Sequence, residues 1–287
     1  MTGSAPLPAP LDEGRVRARI ALLPTLPPLV MELLGSFQQE DLNVTALAER
    51  IGNEQTLAAR VLRIANSPFY GLSGRVASIH DAVVILGFRA VRSLVLAAAM
   101  VGAFPTQLGR HFSPRTFWRH SVATALAARG LARLRGENPE TAFSAGLLHD
   151  LGRVFLAVAF PDHFAALLRW QTEHDRPNRE AEQAVLGLDH GTAGRLLAEQ
   201  WGLPAPIGEA IARHHEPDRE PTSPLVDLVH GADLIALALE LDGRENSAVP
   251  PPSPGAWARL DLDQVSLISL FGEVDENFQE TCHALLP

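Results

Sequence analysis

Apolar side chains recur every three or four positions along most of the chain, and no run of alternating apolar and polar residues bounded by hairpin turns interrupts them. The pattern predicts an all-α protein. Stretches of helical period fall near 28–36, 44–52, 54–66, 78–87 and 89–102, with breaks at Gly35, Gly52, Pro68 to Gly71, Gly87 and Pro105. A second series falls near 114–135, 139–150, 153–159, 161–174, 178–187, 190–201, 205–215 and 223–241. Its punctuation includes Gly136, Pro139, Gly152, Pro161, Pro177, Gly202, Pro204 and the stretch from Pro217 to Pro224. AVPPPSPGAW at 248–257 reads as a surface loop, because each internal proline removes a donor and clashes with the preceding turn. A last helix is expected over 262–285.

The two series imply two helical subdomains, 17–110 and 111–287, with PTQLGRHFS at 105–113 as the boundary. Residues 1–16 read as a flexible leader, since MTGSAPLPAPLDEG lacks the basic and apolar regions of a signal peptide. The longest apolar run, LVLAAAMVGAF at 94–104, is shorter than the roughly 18–20 residues a membrane span requires, so no membrane association is expected.

Composition narrows the class further. A charged fraction of 20% and a hydrophobic fraction of 46% exclude wholesale disorder. Net charge of -9 argues against a broad nucleic-acid-binding surface. LAERIGNEQTLAARVLRI has the outline of a helix-turn-helix, but residues 41–65 balance Asp41, Glu49 and Glu54 against Arg50, Arg60 and Arg63, unlike a phosphate-neutralising face. Cys282 is the only cysteine, which rules out an intramolecular disulfide framework and makes the cytoplasm the expected location.

The chemistry concentrates in histidine and aspartate. His149 and Asp150 stand side by side in SAGLLHDLGRVFL, an otherwise apolar stretch. Eleven histidines and fourteen aspartates give about half an HD pair by chance, so the dipeptide alone carries little. A second pair, His80–Asp81, is expected to serve a helix start, with Ser78 or Asp81 as the cap. The first pair differs in its company. His120 in TFWRHSVATALAARGLA, His190 in LDHGTAGRLLAEQWGLP, His214–His215 in AIARHHEP and Asp233 in LVHGADLIALAL also sit at helix ends or on apolar helices. Neighbours on a regular helix point about 100° apart, so HD and HH pairs converge only where the backbone leaves the helix. Gly152 and Pro217 each follow such a pair by two residues. Imidazole and carboxylate together suit a divalent ion of the Mn, Fe, Zn, Ni or Mg class, one or two in number, whose bound water would attack a phosphoester. The plainer alternative is a fossil site whose polar residues hydrogen-bond one another.

The order H…HD…H…HH…D on consecutive helices resembles the HD superfamily of metal-dependent phosphohydrolases. More closely, LPTLPPLV (23–30), ERIGNEQTLAARVLRIANSPFYG (49–71) and SIHDAVVILGFRAVRSLVLA (78–97), followed by FWRHS, SAGLLHDLGRVFL, DHGTAGRLLAEQWGLP and AIARHHEP, resemble the HDOD family. The resemblance implies a multi-helical HD-like core preceded by an additional helical subdomain. It implies His120, His149, Asp150 and Asp233 as ligands of one ion, Asp150 as a bridge, and His190, His214 and His215 as ligands of a second. It also implies a signalling protein that works through protein partners without established catalysis. The alternative is a phosphohydrolase or phosphodiesterase with a nucleotide or phosphoester ligand, metal-bound hydroxide as nucleophile, and Asp150 and Arg153 as the catalytic residues. In the related HD-GYP phosphodiesterases a lysine follows the HD pair; here Arg153 stands there, a planar fork in place of a point charge. HHE runs on into PDREPTSP with no GYP, which counts against cyclic-dinucleotide hydrolysis. His230, one turn before Asp233, reads as a supporting residue or a satisfied core histidine.

Overall fold

The computed structural model describes residues 7–23, 26–35, 44–67, 70, 75–104, 112–174, 176, 178–243 and 249–286. The regular elements among them are all helices, with no β-strand. The first group comprises α1 (Glu13–Ile20), α2 (Pro28–Gly35), α3 (Val44–Asn53), α4 (Gln55–Ala65), α5 (Ile79–Leu86) and α6 (Phe88–Ala103). There follow α7 (Pro114–Arg135), α8 (Pro139–Leu148), α9 (Leu151–Ala159), α10 (Pro161–His174), α11 (Asn178–Leu186), α12 (His190–Gln200) and α13 (Ala205–Arg213). The chain closes with α14 (Pro224–Ala238), α15 (Pro254–Leu260) and α16 (Gln264–Leu285).

The expected punctuation acts through ordinary capping. Pro114 and Pro139 each open a helix at its first turn, where the missing N–H would have had no partner, behind the capping side chains of Ser113 and Asn138. Gly136 ends α7 at φ 71°, a left-handed conformation natural to glycine. At His80–Asp81 the Ser78 hydroxyl accepts from the Asp81 amide at 3.0 Å, and the Asp81 carboxylate accepts from the Ala77 amide at 3.3 Å. Asp81 is therefore engaged in capping at the start of α5.

Two expectations fail. From Asp12 onward the leader is structured: Asp12 caps α1, Leu11 and Val16 are buried, and the Leu11 amide donates to the Leu186 carbonyl at 2.7 Å. Leu11, Val16 and Ile20 form a buried stripe, and Arg17 reaches Glu199 of α12 at 2.9 Å. The loop expected at 248–257 gives way at Pro254 to α15, because proline at the first helical position costs nothing. The expected boundary lies largely outside the described residues, as do Pro68, Phe69 and Gly71 of the expected break at 68–71.

At the centre stands α7, which packs on α8, α14 and α16, while α9, α12 and α13 form the adjoining layer. α6 and α4 join the earlier helices to this group through α8 and α16. α3 and α4 bury Ala48, Ile51, Ala58, Val61 and Ile64 against this core, Arg50 pairs with Glu32, and Arg60 donates to the Ala98 carbonyl. A helix pair so engaged fits packing, not a DNA-reading face. The stretch Pro139–Ala159 has the length and apolarity of a membrane span, yet 78% of its most apolar window is buried inside the protein. It is also broken at His149–Asp150.

Close backbone approach sets this break. A Cβ on Gly152 would lie 1.9 Å from the His190 carbonyl oxygen and 2.7 Å from the Gly194 amide, so α9 and α12 meet backbone to backbone. Gly152→Ala should therefore lower the unfolding free energy by about 2–3 kcal/mol in urea denaturation. Gly52→Ala, on α3 with nothing within 4 Å, should leave stability equal or slightly raised.

Candidate metal centre

α8 stops at Leu148 and α9 starts at Leu151. In the gap, His149 keeps a helical backbone while Asp150 turns to φ -98°, ψ 14°. That departure lets both side chains face inward, and they are 1% and 5% exposed. Other helices deliver the remaining groups to the same place. His120 comes from the middle of α7 and Asp233 from α14, His190 opens α12, and His214 and His215 follow the end of α13. All are buried except His215, which reaches the surface.

The wiring of the imidazoles decides which atoms are available. His149 Nδ1 donates to the Gly146 carbonyl at 2.7 Å, and His214 Nδ1 donates to the Ile211 carbonyl at 3.0 Å. A carbonyl oxygen only accepts, so each of these neutral rings carries its proton on Nδ1 and a lone pair on Nε2. Both Nε2 atoms look at Asp150: His149 lies 3.7 Å from Oδ2 and His214 3.8 Å from Oδ1. His149 Nε2 is buried and has no hydrogen-bond partner among the described residues. Lone pairs facing carboxylate oxygens at this distance repel unless positive charge stands between them. This orphaned nitrogen and its neighbours therefore fit a divalent cation.

His190 is tied differently. Its Nδ1 and its backbone amide both bond Glu182 Oε2, at 2.6 and 2.9 Å, and its Nε2 lies 3.1 Å from Asp150 Oδ1. The same Nε2 is 3.3 Å from His214 Nε2 and 3.0 Å from His215 Nε2. One ligand atom each from Asp150, His190, His214 and His215 lies within 4.8 Å of the others, and a second such group joins His120, His149 and Asp150. Asp150 belongs to both. Asp233 attaches to the second group through His120 Nε2, 2.9 Å from its Oδ1. All seven expected ligands are thus brought together.

Burial alone would push the Asp150 carboxyl up, but His149, His190 and Arg153 override it and hold it well below the usual carboxylate range. Asp233 follows the same pattern, with burial outweighed by the hydrogen bond and charge of His120. Burial depresses His149, and it depresses His214 strongly with help from the neighbouring imidazoles. In His190 burial is outweighed by Glu182 and Asp150, which raise it to about 9. Its ring proton, directed at Asp150, supplies the positive charge that an ion would supply. Arg153 adds a guanidinium, with Nη1 3.7 Å from Asp150 Oδ2 and Nε 3.9 Å from Glu182 Oε1. Those distances are within ion-pair range and beyond hydrogen bonding.

Glu182 was not among the expected site residues. Its signal was an acidic side chain on the face of α11 that also buries Val185 and Leu186, a position where an unpaired carboxylate would be costly. Two further residues hold the frame. Asp189 caps α12 and takes Arg179 at 2.8 Å, and Arg179 also pairs with Glu216, just past the histidine pair. His230 donates from Nδ1 to the His214 carbonyl at 2.8 Å and accepts from the Ser253 amide at 3.1 Å, so it fastens the HH turn to the start of α15.

The HDOD domain family model matches residues 23–217. Among solved structures, an HDOD domain protein of unknown function from Geobacter sulfurreducens superposes with a TM-score of 0.82 at 28% identity, covering 96% of this chain and 100% of that one. A candidate phosphohydrolase from Shewanella amazonensis superposes with a TM-score of 0.75 at 29% identity, covering 94% and 98%. An uncharacterized protein of Treponema pallidum is 28% identical over 250 residues, 86% of this chain and 48% of its own length. Ribonuclease Y of Pelobacter propionicus is 33% identical over 122 residues, 42% of this chain and 18% of that one. The chain thus spans about half or less of these two curated relatives.

A carboxylate behind a ligating imidazole raises its basicity and fixes its ring, and its loss typically weakens ion affinity about 10–100-fold. Glu182→Gln should do so here, with the His190 ring still in place. Titration with Mn2+ or Zn2+ followed by calorimetry checks it, and an unchanged affinity would remove Glu182 from the centre.

Proposed function

The chain belongs to the HDOD family, and on that premise we propose that it is a regulatory protein which holds a divalent ion in an HD-type pocket and signals through protein partners. One observation carries the reading: donor atoms suited to an ion converge in a pocket that is nearly closed. His149, His190 and His214 are each 1% exposed, and Asp150 is 5% exposed. Closed coordination is the habit of ions that stabilise a conformation, whereas catalytic ions keep an open position for substrate. The imidazole-rich donor set favours Mn, Fe, Zn or Ni over Mg, which prefers oxygen ligands and retained water.

In this reading Asp150, His190, His214 and His215, with His120, His149 and Asp233 beside them, are the residues that would hold the ion. Glu182 orients His190, and the carbonyls of Gly146 and Ile211 orient His149 and His214. Since the ligands come from α7, from the junction of α8 and α9, and from α12, α13 and α14, occupancy would tie the relative positions of six helices to the presence of the ion.

A second reading is favoured by His215 and Arg153. His215 is exposed at the edge of the pocket, and the Arg153 guanidinium stands beside Asp150, where it could bind a phosphate. A bound divalent ion supplies Lewis acidity and a more acidic water. The chain's own part in a phosphohydrolase would be to hold the phosphate at Arg153 and to move a proton at the exposed His215. The partial likeness to ribonuclease Y and the full-length likeness to a candidate phosphohydrolase support keeping this reading second.

Protein purified without chelator or a nickel column should carry roughly one ion per chain or more, and His149→Ala with Asp150→Ala should carry none. Equal metal content in the two would sink the ion-holding reading. A panel of phosphomonoesters and phosphodiesters with added Mn2+, Zn2+, Fe2+ or Ni2+ should show no turnover above that of the double variant. Metal-dependent hydrolysis lost in that variant would instead establish the second reading.

A further inference from the structure

We infer that the cavity between α1 and the corner where α9 turns into α10 binds a soluble organic phosphate, with Arg15 and Arg19 holding the phosphate and Leu22 covering an apolar remainder. None of the residues around this cavity belongs to the His/Asp cluster, so binding there needs no ion.

The cavity measures about 480 Å³, within the roughly 300–1,000 Å³ of pockets that take small molecules and more than a bare phosphate fills. α1 and the residues after it supply Arg15, Arg19 and Leu22, and the α9–α10 corner supplies Phe160, Asp162 and His163. The first three precede residue 23, where the family match begins, so one wall of the cavity lies outside the stretch that the HDOD model matches.

The arginines of α1 are wired in two ways. Arg17 is neutralised, 3.8 Å from Glu13 and 2.9 Å from Glu199 of α12. Arg15 and Arg19 line the cavity, and among the described residues neither has a carboxylate within ion-pair range. They stand four residues apart on one helix, where like charges repel. Both are nonetheless positioned. Arg15 donates from Nη1 to the Pro10 carbonyl at 3.2 Å, which leaves its other guanidinium donors for a ligand. The Arg19 guanidinium lies 5.8 Å from the centroid of the buried Phe160 ring, a cation–π contact. His163 donates from Nε2 to the Ala9 carbonyl at 3.0 Å and so fastens the leader to the corner.

Charge and apolarity together set the ligand class. Asp162 is the carboxylate at the cavity, and it sits in the first turn of α10, where the positive helix end stabilises it. Two guanidinium groups against one carboxylate leave a positive wall, and their planar forks suit the paired oxygens of a phosphate. Leu22 is 75% exposed beside these cations, so a phosphate that carries an apolar group gains a contact that inorganic phosphate lacks. A net charge of -9 on the chain disfavours an anionic bilayer as the source of that phosphate.

The test is calorimetric titration of the full chain with phenyl phosphate, with inorganic phosphate, and with vesicles of phosphatidylcholine and phosphatidic acid. Phenyl phosphate should bind wild type at least about fivefold more tightly than inorganic phosphate. Arg15→Gln and Arg19→Gln should each weaken phenyl phosphate about tenfold or more, since each removes a charge-assisted contact. Asp162→Asn should tighten it about twofold or more, and Arg17→Gln, on a residue already neutralised, should leave it unchanged. Leu22→Ser should erase the preference for phenyl phosphate over inorganic phosphate. These side chains are exposed, so the variants should fold, as circular dichroism would verify. Wild-type affinity in both folded Arg15→Gln and Arg19→Gln, as phosphate held at Arg153 would give, overturns the inference. An equal loss in Arg17→Gln overturns it too, because the effect would then be one of overall charge. Wild type that binds no phenyl phosphate, or that binds the vesicles alone, overturns it without any variant.

Discussion

The interaction on which the centre depends is the demand of one buried carboxylate for positive charge. An isolated carboxylate in a protein interior costs many kcal/mol, and in practice it is either protonated or paired. Asp150 meets positive charge at His190, 3.1 Å away, and at Arg153, 3.7 Å away, while the Nε2 lone pairs of His149 and His214 face it at 3.7 and 3.8 Å. Those partners come from α8, α9, α12 and α13, so satisfying one side chain specifies how four helix ends meet. Asp233, from α14, repeats the arrangement on a smaller scale with His120 of α7.

Convergence of this kind requires helix backbones to come closer than side chains normally permit. Gly152 on α9 and Gly194 on α12 provide the contact beside Asp150, and a Cβ at either would meet atoms within 2.7 Å of the other helix or of α13. On the other side of the pair, a Cβ at Gly146 would sit 2.9 Å from the Thr124 carbonyl of α7. The glycines flank the HD pair by three residues before and two after. Local flexibility is a minor part of their role; their main contribution is the absence of a side chain where two helices touch. The outer frame is then fastened by Arg259, which bonds Asp227 twice at 2.7 Å and also reaches Asp218 and the Pro217 carbonyl, fixing the turn that follows the histidine pair.

Much of this was legible in the chain because proline and glycine act locally. Pro114, Pro139, Pro161 and Gly136 mark real helix ends, since their effects on the backbone do not depend on tertiary context. The seven residues that cluster were also legible as a group, because polar residues on apolar helices are visible as exceptions to a pattern. α1 was hidden by its arginines: Arg15, Arg17 and Arg19 dilute a buried stripe of only Val16 and Ile20. α15 was hidden because a proline-rich run reads as loop until one asks which proline stands at the first helical position. Glu182 lies eight residues and one turn before His190, a separation with no periodic signature, so its bond to that ring belongs to tertiary structure alone. The pairing of His120 with Asp233 is likewise a product of α7 packing on α14.

Asp150 also shows where local preference yields to the site. It occupies the N-cap position of α9, and aspartate there normally accepts a hydrogen bond from the first turn, a contribution of about 1 kcal/mol. Asp12, Asp189 and Asp263 do this for α1, α12 and α16. Asp150 makes no such bond, and its carboxylate turns away from the amides of its own helix towards His190. A capping residue that leaves its cap unmade has been recruited by a stronger partner, and the partners within reach are imidazoles and a guanidinium. An apolar residue or serine at this position would serve α9 as well or better and would spare the protein a buried charge. The carboxylate therefore has a use that helix stability does not supply, and the imidazole lone pairs around it make cation binding the use that fits.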